Sequence, residues 1–163
     1  MNKALFLDRD GVINVDYGHV YRIEDFDIYP GIIPLVKKYI EEGYLVVVVS
    51  NQAGIAKGMY TEKDLQIIDE HMKKEFIKSG VKIDASYYCV HGPNDNCSCR
   101  KPKPGLIYKA QKELNIDLEK SVLIGDKMSV LEAGYTAGIK KLMFRKGRYE
   151  EVEEDFDYER IDY

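Results

Sequence analysis

Apolar residues fall along this chain in two different rhythms, and the switches between them outline its elements. Ala4–Leu7 is a short apolar run that ends in Asp8-Arg9-Asp10-Gly11. Residues 45–49 are apolar throughout and mostly β-branched, as a strand buried on both faces should be. Ala85–Cys89 and residues 121–124 and 140–144 read as three further strands. Between the strands, apolar positions recur three and four apart. Ile32, Leu35, Val36, Tyr39 and Ile40 make one helical face, opened by Pro30-Gly31 and stopped by Gly43. Leu65, Ile68, Met72 and Phe76 make a second, opened by Thr61 and Asp64. Residues 104–114 and Met128–Ala137 complete four predicted helices.

Strands alternating with helices predict right-handed βαβ units. The expected fold is a three-layer α/β/α, Rossmann-like parallel sheet. Ligands of such sheets gather beyond the carboxyl ends of the strands. Four polar segments follow strands here: Asp8-Arg9-Asp10, Ser50-Asn51-Gln52, the cysteine loop, and Gly125-Asp126-Lys127. All four should meet on one edge. Residues 14–29, between the first motif and the next helix, are too few for a separate cap domain, so a minimal cap of loops is expected.

The chain has 163 residues, enough for one domain with a real core, and a net charge of −4. That charge is uneven. Residues 150–163 hold eight acidic side chains against Arg160, a net −7, which leaves +3 on residues 1–149. The expected organisation is one domain over residues 1–149, with a zinc loop at 89–99, and a solvated, partly frayed acidic tail over 150–163. A slightly basic body admits an anionic small-molecule ligand. No stacking pattern of aromatic and basic residues suggests nucleic acid; the thirteen tyrosines and His71 read as packing. No signal peptide or membrane-length apolar run is visible, so a cytoplasmic protein without membrane contact is expected, and a monomer.

Asp8 and Asp10, two residues apart in an extended segment, point the same way. With Asp126 from another strand end, three carboxylates converge, and a hard divalent cation relieves their repulsion. Oxygen ligands with few dedicated protein groups suit Mg2+. Cys89, His91, Cys97 and Cys99 form a different set. Three thiols and an imidazole in one short loop suit tetrahedral Zn2+, with no position open for catalysis. An odd, tightly clustered cysteine count argues for metal over disulfides.

In order along the chain, Asp8-Arg9-Asp10-Gly11-Val12-Ile13-Asn14, Ser50-Asn51-Gln52-Ala53-Gly54, Cys99-Arg100-Lys101-Pro102 and Gly125-Asp126-Lys127 resemble the haloacid dehalogenase superfamily of phosphatases. Within it they resemble the D-glycero-D-manno-heptose 1,7-bisphosphate phosphatases. The resemblance implies that Asp8 attacks phosphorus to form an aspartyl-phosphate, while Asp10 protonates the leaving oxygen and then activates water. It implies that Ser50 and Lys101 hold the phosphoryl group. Asp8, the Asp10 carbonyl and Asp126 would bind Mg2+. Asp16, His19, Asn51, Gln52 and Lys127 would contact substrate, and Arg100 would meet a second phosphate. The implied reaction removes the C7 phosphate of a heptose 1,7-bisphosphate, a step toward nucleotide-activated heptose for bacterial surface glycans.

Two departures from the heptose pattern stand out. The compact stretch from Cys89 to Cys97 is more similar to histidinol-phosphate phosphatases, which keeps that substrate open. Val130 occupies a position where many superfamily members carry a second aspartate. It also leaves a non-catalytic zinc-loop binding module as a rival.

Overall fold

The computed structural model describes residues 1–163. Six strands form one sheet: β1 (Ala4–Leu7), β2 (Leu45–Asn51), β3 (Ala85–Cys89), β4 (Val122–Gly125), β5 (Lys141–Arg145) and β6 (Glu159–Ile161). Their spatial order is β3-β2-β1-β4-β5-β6, and every pairing is parallel. The order reverses at β1, between β2 and β4. An open parallel sheet opens a crevice at that point, beyond the strand ends.

The two faces of the sheet account for the apolar patterns. Side chains of β1 alternate, so Ala4 and Phe6 enter one core while Leu5 and Leu7 enter the other. On the second face lie α1 (Ile32–Glu41) and α2 (Glu62–Lys78), which contribute Ile32, Val36, Leu65, Ile68, Met72 and Phe76. On the first lie α3 (Gly105–Leu114) and α4 (Met128–Ala137), through Leu106, Ile107, Leu131 and Ala133. These are the three layers the sequence predicts. Thr61 caps α2 in a reciprocal box: its Oγ1 accepts from the Asp64 N–H at 3.1 Å, and Asp64 Oδ2 accepts from the Thr61 N–H at 2.9 Å. Between Asn14 and Tyr29 there is one short 3-10 turn, Ile23–Asp25, so the cap is made of loops.

The acidic tail departs from expectation. Residues 159–161 form β6, which extends the sheet beside β5. Phe156 is buried in the core with Tyr158 against it, and Arg160 pairs with Glu151 at 2.6 Å. Tyr163 OH donates to the Val12 carbonyl at 2.7 Å. Eight carboxylates obscure a pattern in which Phe156, Tyr158, Ile161 and Tyr163 supply the apolar anchors. Buried aromatic area holds the segment down despite its charge.

Candidate active site

The segments after β1, β2, β3 and β4 build the centre. Asp8 follows β1 directly, and its N–H donates to the Ile124 carbonyl at 3.2 Å, which ties it to β4. Its Oδ1 accepts from the Arg9 N–H at 2.9 Å and lies 3.2 Å from Lys101 Nζ. Lys101 is buried, and its Nζ also donates to the Val49 carbonyl at 3.1 Å. Asn51, at the end of β2, grips the Lys101 backbone from both sides. Its Oδ1 accepts from the Lys101 N–H at 3.1 Å, and its Nδ2 donates to the Lys101 carbonyl at 3.3 Å. The β2 end therefore aims the lysine at the carboxylate from β1.

Asp10 is held by side chains instead. Arg9 Nε and Nη2 reach its two oxygens at 3.1 and 3.2 Å, Asn14 Nδ2 donates to Oδ1 at 2.9 Å, and Gln52 Nε2 donates to Oδ2 at 3.2 Å. Arg9 is fully buried; burial works most strongly against its charge, and Asp10 together with Tyr88 and Tyr60 outweighs that penalty. The Gln52 amide is oriented from its other end. Its Oε1 accepts from Tyr60 OH and from Arg9 Nη2, which leaves Nε2 for Asp10 and for Ser50 Oγ at 2.9 Å. The Tyr60 ring stacks on Tyr21 with centroids 5.1 Å apart, joining the cap loop to the segment after β2.

Asp126 follows β4 and is 2% exposed, and its Oδ2 has no hydrogen-bond partner. Burial, and then the neighbouring Asp8 charge, push its carboxyl from 3.8 up to about 8. Gly11 permits the close approach: its φ is +87°, and a Cβ there would stand 1.9 Å from Asp126 Oδ2. A desolvated carboxylate with a free oxygen beside a second carboxylate is a donor set for a hard cation. Asp8, Asp10 and Asp126 fit Mg2+ on that ground. Val130 is buried against Gly125 in the core, so no second carboxylate reaches the site from that loop.

These groups line one cleft of about 510 Å³. Asp8, Asp10, Asp16, His19, Ser50, Asn51, Gln52, Arg100, Lys101, Asp126 and Lys127 all face it. The sequence reading brought these residues together; it missed Lys57, Ser129, Arg148 and Tyr149, which also line the cleft. For Arg148 and Tyr149 the signal was present. They lie just beyond β5, where the strand-end rule applies as it does after the other strands.

The second cluster sits beside the cleft. Single ligand atoms of Cys89, His91, Cys97 and Cys99 all lie within 4.8 Å of one another. His91 Nδ1 is 3.4 Å from Cys89 Sγ and 3.2 Å from Cys99 Sγ, and the Cys89 and Cys97 sulfurs are 3.6 Å apart. Ligands of a tetrahedral Zn2+ stand roughly 3.5–3.8 Å from each other. The Cys89 and Cys99 sulfurs stand only 2.6 Å apart, so the set of residues suits such an ion provided that these two sulfurs part by about 1 Å. Lys103 Nζ donates to the Cys97 carbonyl at 2.7 Å, so the loop closes on itself around Arg100 and Lys101.

Comparison with known proteins fixes the class. A family profile described as polynucleotide kinase 3 phosphatase matches residues 7–159. A HAD-like phosphatase of Mesorhizobium loti superposes with a TM-score of 0.88 at 31% identity, covering 99% of this chain and 80% of that one. The D,D-heptose 1,7-bisphosphate phosphatase of B. bronchiseptica, solved with magnesium and phosphate, gives a TM-score of 0.81 at 30% identity, covering 88% and 80%. The fold and these neighbours define a phosphatase of the haloacid dehalogenase type, a hydrolase of phosphoric monoesters. Two curated relatives narrow this further. The D-glycero-beta-D-manno-heptose-1,7-bisphosphate 7-phosphatase of Helicobacter pylori is 48% identical over 85% of this chain and 80% of its own. The alpha-heptose counterpart from Campylobacter jejuni is 46% identical over 86% and 81%. The chain belongs to the polynucleotide kinase 3 phosphatase family, in its D-glycero-D-manno-heptose-1,7-bisphosphate 7-phosphatase branch. No helix is long and apolar enough to cross a membrane.

Proposed function

We propose that this protein removes the C7 phosphate of D-glycero-D-manno-heptose 1,7-bisphosphate, with Asp8 as nucleophile. The observation that carries this reading is the joining of Asp8, Asp10, Asp126 and Lys101 in a cleft that also holds Arg100 and Lys127. One phosphate meets the carboxylates and Lys101; the cations nearer the rim await the other. The compact cysteine loop kept histidinol phosphate open, but that substrate carries a single phosphate and gives the second set of cations nothing to bind. Relatives at 48% and 46% identity carry the heptose name.

The Asp8 carboxylate attacks phosphorus, the ester P–O bond breaks, and Asp10 gives its proton to the departing sugar oxygen. Asp10 then takes a proton from water, which attacks phosphorus and frees Asp8 and inorganic phosphate. Lys101, 3.2 Å from Asp8 and shielded from solvent, stabilises the charge that gathers on the phosphoryl oxygens. Ser50 Oγ binds the same group. Asp8, the Asp10 carbonyl and Asp126 would hold Mg2+, which would supply Lewis-acid polarisation there. Asn51 and Gln52 act through Lys101 and Asp10, since their amides are engaged there; Asp16, His19, Arg100 and Lys127 serve the sugar and its distal phosphate. Zn2+ held by Cys89, His91, Cys97 and Cys99 would be structural and would steady the loop that carries Lys101.

One domain suffices, with the segment after residue 149 serving it as an edge strand. A doubly phosphorylated sugar stays on one side of a membrane, and we place the reaction in the cytoplasm as a step toward nucleotide-activated heptose. The test is phosphate release with Mg2+ from both heptose bisphosphate anomers and from histidinol phosphate. The wild type should prefer a heptose bisphosphate, and Asp8→Asn should lower its kcat at least about a thousandfold. Preference for histidinol phosphate would overturn the substrate, and near-normal turnover by Asp8→Asn would overturn the mechanism.

A further inference from the structure

Beyond β5 the chain makes a turn that none of the expected motifs includes. Gly147 abuts the metal-binding carboxylate: a Cβ there would stand 3.8 Å from Asp126 Oδ2. The next two residues, Arg148 and Tyr149, line the cleft. Arg148 Nη1 lies 3.4 Å from Asp16 Oδ1, and that oxygen also accepts from the Gly18 N–H at 2.9 Å. Asp16 itself is nearly buried, while Arg148 is half exposed, at 49%. One nitrogen of the guanidinium is thus tethered to the cap loop, and the rest of the planar fork remains available. Tyr149 orders the neighbouring cation as well, since Lys127 Nζ sits 4.6 Å from its ring centroid.

The role of Asp16 changes with this geometry. As a substrate ligand it would offer a carboxylate to sugar hydroxyls. In the structure its Oδ1 serves the turn at Gly18 and the Arg148 guanidinium. An acid that pins an arginine at a cleft rim pre-pays the ordering of a long, flexible side chain. A guanidinium held this way presents paired N–H donors that match a phosphate. Lys101 is not available for this task, because it is buried against Asp8 and the Val49 carbonyl.

We propose that Arg148 is a specificity-determining residue that, with Lys127, binds the non-reacting phosphate of the bisphosphate, and that Asp16 is its positioning residue. This rests on the bisphosphate reading above. It adds a wall to the distal site on the β5 side, opposite Arg100 and the cysteine loop.

The experiment compares heptose 1,7-bisphosphate with heptose 7-phosphate, for wild type, Arg148→Ala, Arg148→Lys, Asp16→Asn and the variant that combines Arg148→Ala with Asp16→Asn, all with Mg2+. The readout is the ratio of kcat/KM for the two substrates. Arg148→Ala should lower that ratio about tenfold to a hundredfold, the span of one hydrogen bond between charged groups, chiefly through KM of the bisphosphate. Arg148→Lys should recover part of it. Asp16→Asn should lower the ratio less, and should add nothing once Arg148 is already alanine. A wild-type ratio well above one that Arg148→Ala leaves intact, or an equal loss on both substrates, would overturn this inference alone. A wild-type ratio near one would overturn the bisphosphate reading, and this inference with it.

Discussion

Two clusters in this molecule are suited to a metal, and their ligands arrive by opposite routes. Cys89, His91, Cys97 and Cys99 come from eleven consecutive residues and close into a cage with four protein ligands. Asp8, Asp10 and Asp126 come from two strand ends more than a hundred residues apart in sequence, and join only because β4 pairs with β1. The first cluster is soft and complete, so an ion there has no open position. The second is hard and incomplete, with Asp126 Oδ2 left bare and buried. An incomplete shell leaves room for a phosphoryl oxygen. On the proposed reading, an ion in the first cluster would shape a loop and one in the second would take part in chemistry.

The sharpest way to break the contrast is to remove both metals and return them one at a time. A chelator should abolish phosphate release. Protein that lost Mg2+ but kept zinc should recover fully on adding Mg2+. Protein stripped of zinc should show a lower thermal midpoint and little recovery from Mg2+ alone, because Lys101 lies two residues past Cys99 and loses its support. Zinc content, thermal midpoint and turnover measured on the same sample decide the matter. Full activity of zinc-free protein in Mg2+ would show that the cage does not serve the cleft.

A smaller effect distinguishes the hard site by pH. In metal-free protein the Asp126 carboxyl is raised from 3.8 to about 8 by burial and then by Asp8. Its protonated form is therefore favoured by folding. That contribution to stability is fully present below about pH 4 and is lost as pH rises toward 8. Mg2+ binds the ionised form, so the rise in thermal midpoint on adding Mg2+ should grow between pH 6 and pH 8. A Mg2+-induced rise that is flat across that interval would mean that Asp126 does not carry the cation.

The same contrast explains how much was legible in the sequence. The cysteine cage is local, and its residue types and spacing specify it without any fold. The carboxylate site needed the fold, and the fold was readable because strand and helix periods alternate cleanly from Ala4 to Phe144. Two things escaped. The strand β6 was hidden because charge dominates its composition while burial depends on Phe156 and Tyr158. The side chains that orient Asp10 were hidden because no spacing rule links Arg9, Gln52 and Tyr60. Their association depends on a loop after β2 folding back so closely that a Cβ at Gly54 would stand 2.2 Å from the Tyr60 ring.

That last group gives the smallest and most specific test. Tyr60 touches neither metal cluster, and its hydroxyl donates to Gln52 Oε1. With Arg9 Nη2 on the same oxygen, the amide has one orientation, which places Nε2 on Asp10 and Ser50. Tyr60→Phe keeps the ring on Tyr21 and removes only the hydroxyl. The Gln52 amide then has one donor fewer to fix its direction, and Asp10 is less firmly held for its proton transfers. The expected loss is about threefold to tenfold in kcat, the worth of one neutral hydrogen bond, with KM and zinc content unchanged. Gln52→Glu should do more harm, since a second carboxylate beside Asp10 repels it and competes for Arg9. If Tyr60→Phe raised KM and left kcat alone, Tyr60 would belong to the substrate wall and not to the support of Asp10.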